Sequence, residues 1–144
     1  MQTALVLVLA LGLGPLAQDP QGPASAADKN KKPTLTVRAT PAVAFSPARV
    51  RAVAELKGGP DDHQELYCAS VEWDWGDLTQ SESTTDCEPY EAGVSQITRR
   101  FSGEHLYRSQ GRYRVQIRLK RNGKVVSGAN TTITVRAGVR DMGD

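Results

Sequence analysis

From Arg112 to Lys120 the chain reads Arg-Tyr-Arg-Val-Gln-Ile-Arg-Leu-Lys, with Tyr113, Val115, Ile117 and Leu119 alternating against Arg112, Arg114, Gln116, Arg118 and Lys120. A period of two sends successive side chains to opposite faces, so this segment buries one face and solvates the other, as a β-strand does. The period recurs along the chain. Leu35, Val37 and Ala39 share a face from Thr34 to Ala39. Val50, Ala52, Ala54 and Leu56 do so from Ala48 to Leu56, with Val53 on the outer side. Val71, Trp73 and Trp75 line a third segment, and Thr131, Ile133 and Val135 end a last one running from Val125 to Val135. Beyond residue 26, no window of about 11 residues carries a 3.6-residue apolar stripe, so helix content is expected to be minimal.

Turn residues fall between these segments: Lys57-Gly58-Gly59-Pro60-Asp61-Asp62 after the second, and Asn122-Gly123, a strong hairpin signal, between the last two. About seven short strands with such spacing predict an all-β, Ig-like two-sheet antiparallel β-sandwich, preceded by a signal peptide.

The signal peptide is read from the apolar run Thr3 to Ala17, interrupted by Gly12, Gly14 and Pro15. It is shorter than the roughly 20 residues that cross a bilayer, and Ala24-Ser25-Ala26 follows as a small-residue cleavage pattern. Ala17 is a second cleavage position, and the competing reading is a short uncleaved anchor or a buried N-terminal helix. No Lys or Arg precedes the run, and no cysteine follows it for lipid attachment. Residues 1–26 are thus expected to be the signal, 27–33 a flexible linker, 34–136 the sandwich and 137–144 a flexible tail. Localisation should be periplasmic, cell-surface or extracellular, with no transmembrane segment left after cleavage. In an oxidising compartment Cys68 and Cys87 should pair. A loop of about 20 residues closed in this way gains roughly 3 kcal/mol in the chain-entropy account. With no CxxC spacing, neither a redox pair nor an all-cysteine zinc site is expected.

Composition narrows the class. Hydrophobic residues make up 39% of the chain and charged ones 24%, with a mean hydropathy of −0.43, which excludes a membrane-embedded or wholly disordered protein. The net charge of +2 conceals a segregation. From Glu55 to Glu91 every charge is acidic except Lys57, and from Thr98 to Lys124 every charge is basic except Glu104. Arg112, Arg114, Arg118 and Lys120 all point outward from one strand. They are either a solvated face salt-bridged to neighbouring acids or an anion-binding face. Tyr113 alternates inward, so the aromatic interleaving of a nucleic-acid surface is missing and nucleic acid is not the expected partner. Head-to-tail self-association of the opposite charges is a third reading.

Val71-Glu72-Trp73-Asp74-Trp75-Gly76-Asp77 resembles the W-D-F-G-D-G signature of PKD domains, with Trp75 for Phe and Leu78 for the final Gly. His105-Leu106-Tyr107 matches the family's H-x-Y element, and Gly111-Arg112-Tyr113-Arg114-Val115 its G-x-Y-x-V strand. The resemblance runs from about Thr34 to Val135. It implies an extracellular β-sandwich mediating protein–protein or protein–carbohydrate contact, without catalysis. Two departures stand out. With Leu78 in the glycine position, the turn is expected to avoid a positive φ or be reshaped. The stretch between Asp77 and His105 is longer than a compact member needs, and Cys68 and Cys87 are expected to brace it.

Trp73 is expected in the core between the sheets, and Trp75 either there or as a platform for glycan stacking. Asp74 and Asp77 flank Gly76 and should accept backbone N–H bonds in the turn. A calcium site joining them to Asp61 and Asp62 is the alternative, although calcium takes about six to eight oxygen ligands. No metal or other cofactor is expected. His105 should bond within the fold while Tyr107 packs inward, and His63 should be solvated in its polar loop. Asn130-Thr131-Thr132 is a glycosylation sequon by pattern. No G-x-S-x-G, H-E-x-x-H or phosphate-cradling loop is present, so no enzyme and no small-molecule substrate are expected. The leading expectation is a non-catalytic, exported interaction module for an envelope protein or glycan. The alternatives are a polyanion binder (acidic polysaccharide, lipid head group or nucleic acid) using the arginine face, and a structural, self-associating envelope component.

Overall fold

The computed structural model describes residues 31–139. The expected signal at 1–26, most of the linker and the end of the tail lie outside the described residues. Eight strands are formed: β1 (Thr34–Thr40), β2 (Val43–Phe45), β3 (Ala48–Lys57), β4 (Ser70–Asp74), β5 (Gln80–Ser83), β6 (Arg100–Tyr107), β7 (Gly111–Arg121) and β8 (Lys124–Arg136). Among the described residues the complete helical element is a 3₁₀ turn over Gln64–Leu66. A three-stranded sheet has the order β1-β3-β6, and a five-stranded sheet the order β2-β8-β7-β4-β5. This is an Ig-like two-sheet β-sandwich.

Seven of the strands pair antiparallel within their sheets, but β2 pairs parallel with β8, Val43 opposite Thr134 and Phe45 opposite Arg136. The short β2 is thus a parallel addition at one edge of the antiparallel sandwich. After β1 the chain leaves the first sheet, adds β2 to the edge of the second, and returns as β3, with cis bonds at Thr40-Pro41 and Ser46-Pro47.

The period-two pattern is realised as buried faces. Val50, Ala52, Ala54 and Leu56 of β3 face Val115, Ile117 and Leu119 of β7 and Ile133 and Val135 of β8 across one core. Trp73 and Trp75 bring the largest rings into that core, and the opposing sheet makes room with small residues. Gly103 of β6 sits opposite Ala52, and a Cβ on Gly103 would lie 3.0 Å from the Trp73 indole nitrogen and 3.1 Å from the Trp75 ring.

The domain boundaries shift outward. Lys32 pairs with Glu65 at 3.0 Å and donates to the Val126 carbonyl at 2.8 Å, and Pro33 is buried. Residues 31–33 are therefore fastened to the sandwich, contrary to the flexible linker expected there. At the other end Gly138 is buried and its N–H donates to Ser46 Oγ at 3.0 Å, so packing continues past residue 136.

The long stretch between Asp77 and His105 holds β5, a loop over 84–99 and most of β6. Cys68 and Cys87 are joined by a disulfide that ties this loop to the residues preceding β4. Tyr67 donates to the Glu88 carbonyl at 2.9 Å and Tyr90 to that of Asp62 at 2.7 Å. Arg99 donates to Asp61 and to the carbonyls of Leu56, Gly58 and Gly59. His63, expected to be solvated, is instead half-buried, with Nδ1 enclosed and without a hydrogen-bond partner.

Candidate functional site

Two groups of marked residues lie on either side of the five-stranded sheet, one behind it and one on its outer face, and they meet where Gly76 lies against Arg114. The first is built by the turn after β4. Asp74 Oδ1 accepts the Gly76 N–H at 3.0 Å, and Asp77 Oδ1 accepts the Thr79 N–H at 3.2 Å together with the Thr79 hydroxyl. Gly76 has φ +79°, and a Cβ there would lie 2.7 Å from the Arg114 carbonyl, so only glycine lets this turn lie against β7. Leu78 also takes a positive φ, +69°, with its side chain fully exposed. The expectation that the turn would avoid this conformation is corrected. The carboxylate and hydroxyl bonds on either side fix the turn, and Leu78 absorbs the strain.

From β6, His105 presents Nε2 to Asp77 Oδ2 at 2.7 Å, with Thr79 Oγ1 3.4 Å from the same nitrogen. The imidazole stacks on Trp75 at 5.0 Å, Trp75 stacks on Trp73 at 5.5 Å, and Tyr107 meets His105 edge-on at 4.7 Å. Tyr107 donates to the Trp75 carbonyl at 2.7 Å and stacks on Tyr113 at 4.4 Å. Tyr113 reaches back over Gly111 to the Ser109 carbonyl at 2.8 Å. Burial pushes the Asp77 carboxyl up, but the bonds from Thr79 and His105 outweigh it and hold the group below the ordinary carboxylate range. Burial likewise raises the Tyr107 hydroxyl far above its usual value.

Trp75 is 2% exposed, and its Nε1 donates to Ser81 Oγ at 3.1 Å. A ring sandwiched between an indole and an imidazole has no face left for a sugar, so glycan stacking at Trp75 is ruled out. Asp61 and Asp62 are not gathered with Asp74 and Asp77. Among the described residues no group of three or more His, Cys, Asp or Glu is placed to hold a metal ion.

The second group is the outer face of the five-stranded sheet, and register divides it. Glu72 on β4 lies opposite Arg118 on β7. It accepts from Arg118 Nη1 at 2.6 Å and from Lys120, and both bonds hold its carboxyl low. Arg118 also donates to Gln116 at 2.9 Å and lies 3.8 Å from Asp74. Arg118 and Lys120 are thus engaged by Glu72, as the salt-bridged alternative read from the sequence has it for this half of the face. Toward the start of β7, β4 has ended and supplies no carboxylate. Arg112 and Arg114 are exposed, and their guanidinium groups have no partner among the described residues.

Two residues that sequence reasoning missed stand beside them. Arg136 at the end of β8 is exposed and likewise without a side-chain partner, and Phe45 on β2, 63% exposed, is in register with it. The signal was weak, because β2 is three residues long and its neighbour in the sheet is remote in sequence.

No family model matches the chain, and no curated protein matches it. Among solved structures, the chain is similar to the PKD domain of an M14-like peptidase from a Thermoplasmatales archaeon, at 14% identity and a TM-score of 0.49, over 74% of this chain and 97% of that one. It is also similar to the CARDB domain of a Pyrococcus furiosus protein, solved in complex with di-metal ions, at 12% identity and a TM-score of 0.45, over 74% of this chain and 96% of that one. The likeness is one of shape.

Proposed function

We propose that this chain is a non-catalytic interaction module, exported from the cytosol, that docks a partner at the cell envelope through the outer face of its five-stranded sheet. The observation that carries the reading is the division of that face. Its acids neutralise Arg118 and Lys120, while Arg112, Arg114 and Arg136 keep their charges for solvent or a partner. Export is supported by the Cys68–Cys87 disulfide, since such bonds persist in oxidising compartments. No helix among the described residues is long and apolar enough to cross a membrane.

The Asp77–His105–Thr79 cluster supports a structural rather than a catalytic role. A relay needs the imidazole to face the carboxylate with one nitrogen and the nucleophile with the other. Here Nε2 serves the carboxylate, and the Thr79 hydroxyl donates to that same carboxylate. The test is co-sedimentation of the full, disulfide-bonded chain with cell-envelope fractions. Binding should weaken sharply on replacing Arg112 and Arg114 with Glu. Equal binding by wild type and variant, or turnover of an envelope substrate by the purified chain, would overturn the reading.

A further inference from the structure

We infer that the Arg112–Arg114–Arg136 end of the outer face binds an acidic polysaccharide, a chain of sugars bearing carboxylates or sulfates. The inference rests on the reading of this face as the docking surface and adds the chemical class of the partner. Arg112 and Arg114 are two residues apart on one strand, about 7 Å along a line of outward side chains. Thr134 and Thr132 on β8 stand directly opposite them, and Arg136 follows on the same strand, with Phe45 in register beside it. The patch is flat. It offers planar guanidinium forks for anionic groups, hydroxyls between them, and an exposed ring at one rim.

Each element matches a part of a charged glycan. A guanidinium takes a carboxylate or sulfate through paired N–H donors, which an ammonium does not do. The threonine hydroxyls donate to and accept from ring hydroxyls. The Phe45 ring gives the apolar face of a sugar a surface to cover. The arrangement fits nucleic acid less well, because stacking platforms for bases interleave with the cations, whereas Tyr113 is turned inward and Phe45 stands at the rim. The three-stranded sheet is a natural comparison. Arg38 and Arg51 are also without side-chain partners there, but Arg51 lies opposite Glu104 and Thr36 opposite Glu55, so acids interrupt the positive charge.

The full, disulfide-bonded chain is applied to immobilised polygalacturonate, dextran sulfate and neutral dextran at low and high salt. Both charged polysaccharides should retain it at low salt and release it at high salt, and neutral dextran should not retain it. Arg112→Glu with Arg114→Glu should weaken retention about tenfold or more, Arg136→Glu and Phe45→Ala each by severalfold, and Arg38→Glu with Arg51→Glu by less than about twofold. Unchanged melting temperatures confirm that each variant is folded. Retention that ignores the Arg112/Arg114 pair, or falls equally with Arg38/Arg51, overturns the inference. So does tighter binding of oligodeoxythymidylate or anionic phosphatidylglycerol vesicles through the same arginines, which leaves the docking face standing with another occupant. Failure of every probe overturns the polysaccharide alone. The broader reading falls only if envelope fractions, too, are bound equally by wild type and the Arg112/Arg114 variant.

Discussion

At the scale of single residues, the turn after Trp75 holds both the strain and the chemistry. Leu78 has φ +69° and no buried surface to lose, so Leu78→Gly relieves the left-handed conformation at no cost in packing. It should raise stability by about 1 kcal/mol, net of the greater chain entropy of glycine. For a domain of this size that is about 4 °C in Tm, read by thermal denaturation. An unchanged or lower Tm would show that the leucine is held by something else.

Asp77 supplies a pH signature. Its folded-state pKa is depressed by Thr79 and His105, so its stabilisation is present above the unfolded value near 3.9 and is lost as pH falls through the folded value. The Tm difference between wild type and Asp77→Asn should therefore be fully present above about pH 5 and shrink below about pH 4. A difference that stays constant with pH would dissociate Asp77 from acid unfolding. Tyr107→Phe should cost about 1 to 2 kcal/mol, because the Trp75 carbonyl loses its buried donor.

At the scale of elements, legibility in the sequence followed the hydropathy of the inward positions. β3 and β7 bury Val, Ile, Leu and Ala on every second residue, and their alternation was plain. β6 has the same period, but its inward positions are Phe101, Gly103, His105 and Tyr107. Glycine and histidine stand there for local reasons: one leaves room for two indoles, the other binds Asp77. Those reasons erase the apolar signal. β5 is an exposed edge strand with no buried face, and β2 is too short to show a period. The candidate site was half legible for a related reason. Arg112 and Arg114 were visible on β7, but their separation from Arg118 and Lys120 depends on where β4 ends, and Phe45 and Arg136 meet only through a parallel pairing.

Two variants test this account. Gly103→Val pushes a branched side chain into the Trp73 and Trp75 rings and should destabilise by about 1 to 3 kcal/mol. Replacing Cys68 and Cys87 with Ser should cost about 3 kcal/mol by chain entropy, with protease cleavage appearing first in the 84–99 loop. Wild-type stability in either variant would contradict the packing or the bracing described.

At the scale of the whole molecule, the acidic stretch from Glu55 to Glu91 and the basic stretch from Thr98 to Lys124 do not produce a simply dipolar particle. Folding brings them together: Arg99 meets Asp61, Arg100 meets Glu55, and Arg118 and Lys120 meet Glu72. What the sequence presented as segregation is in part cross-strand and cross-loop pairing. On the outer face of the five-stranded sheet, the cations left over are those where β7 and β8 run past the end of β4. This favours a specific docking end over head-to-tail association, and the chain should sediment as a monomer at low salt.

The most direct test of that docking end is a backbone-amide NMR titration of the full chain with solubilised envelope fractions. The account predicts shifts confined to Val43–Phe45, the first residues of β7 and the last residues of β8, fading as salt is raised. Shifts on the three-stranded sheet, or around Tyr67 and Tyr90 beside the disulfide, would contradict it.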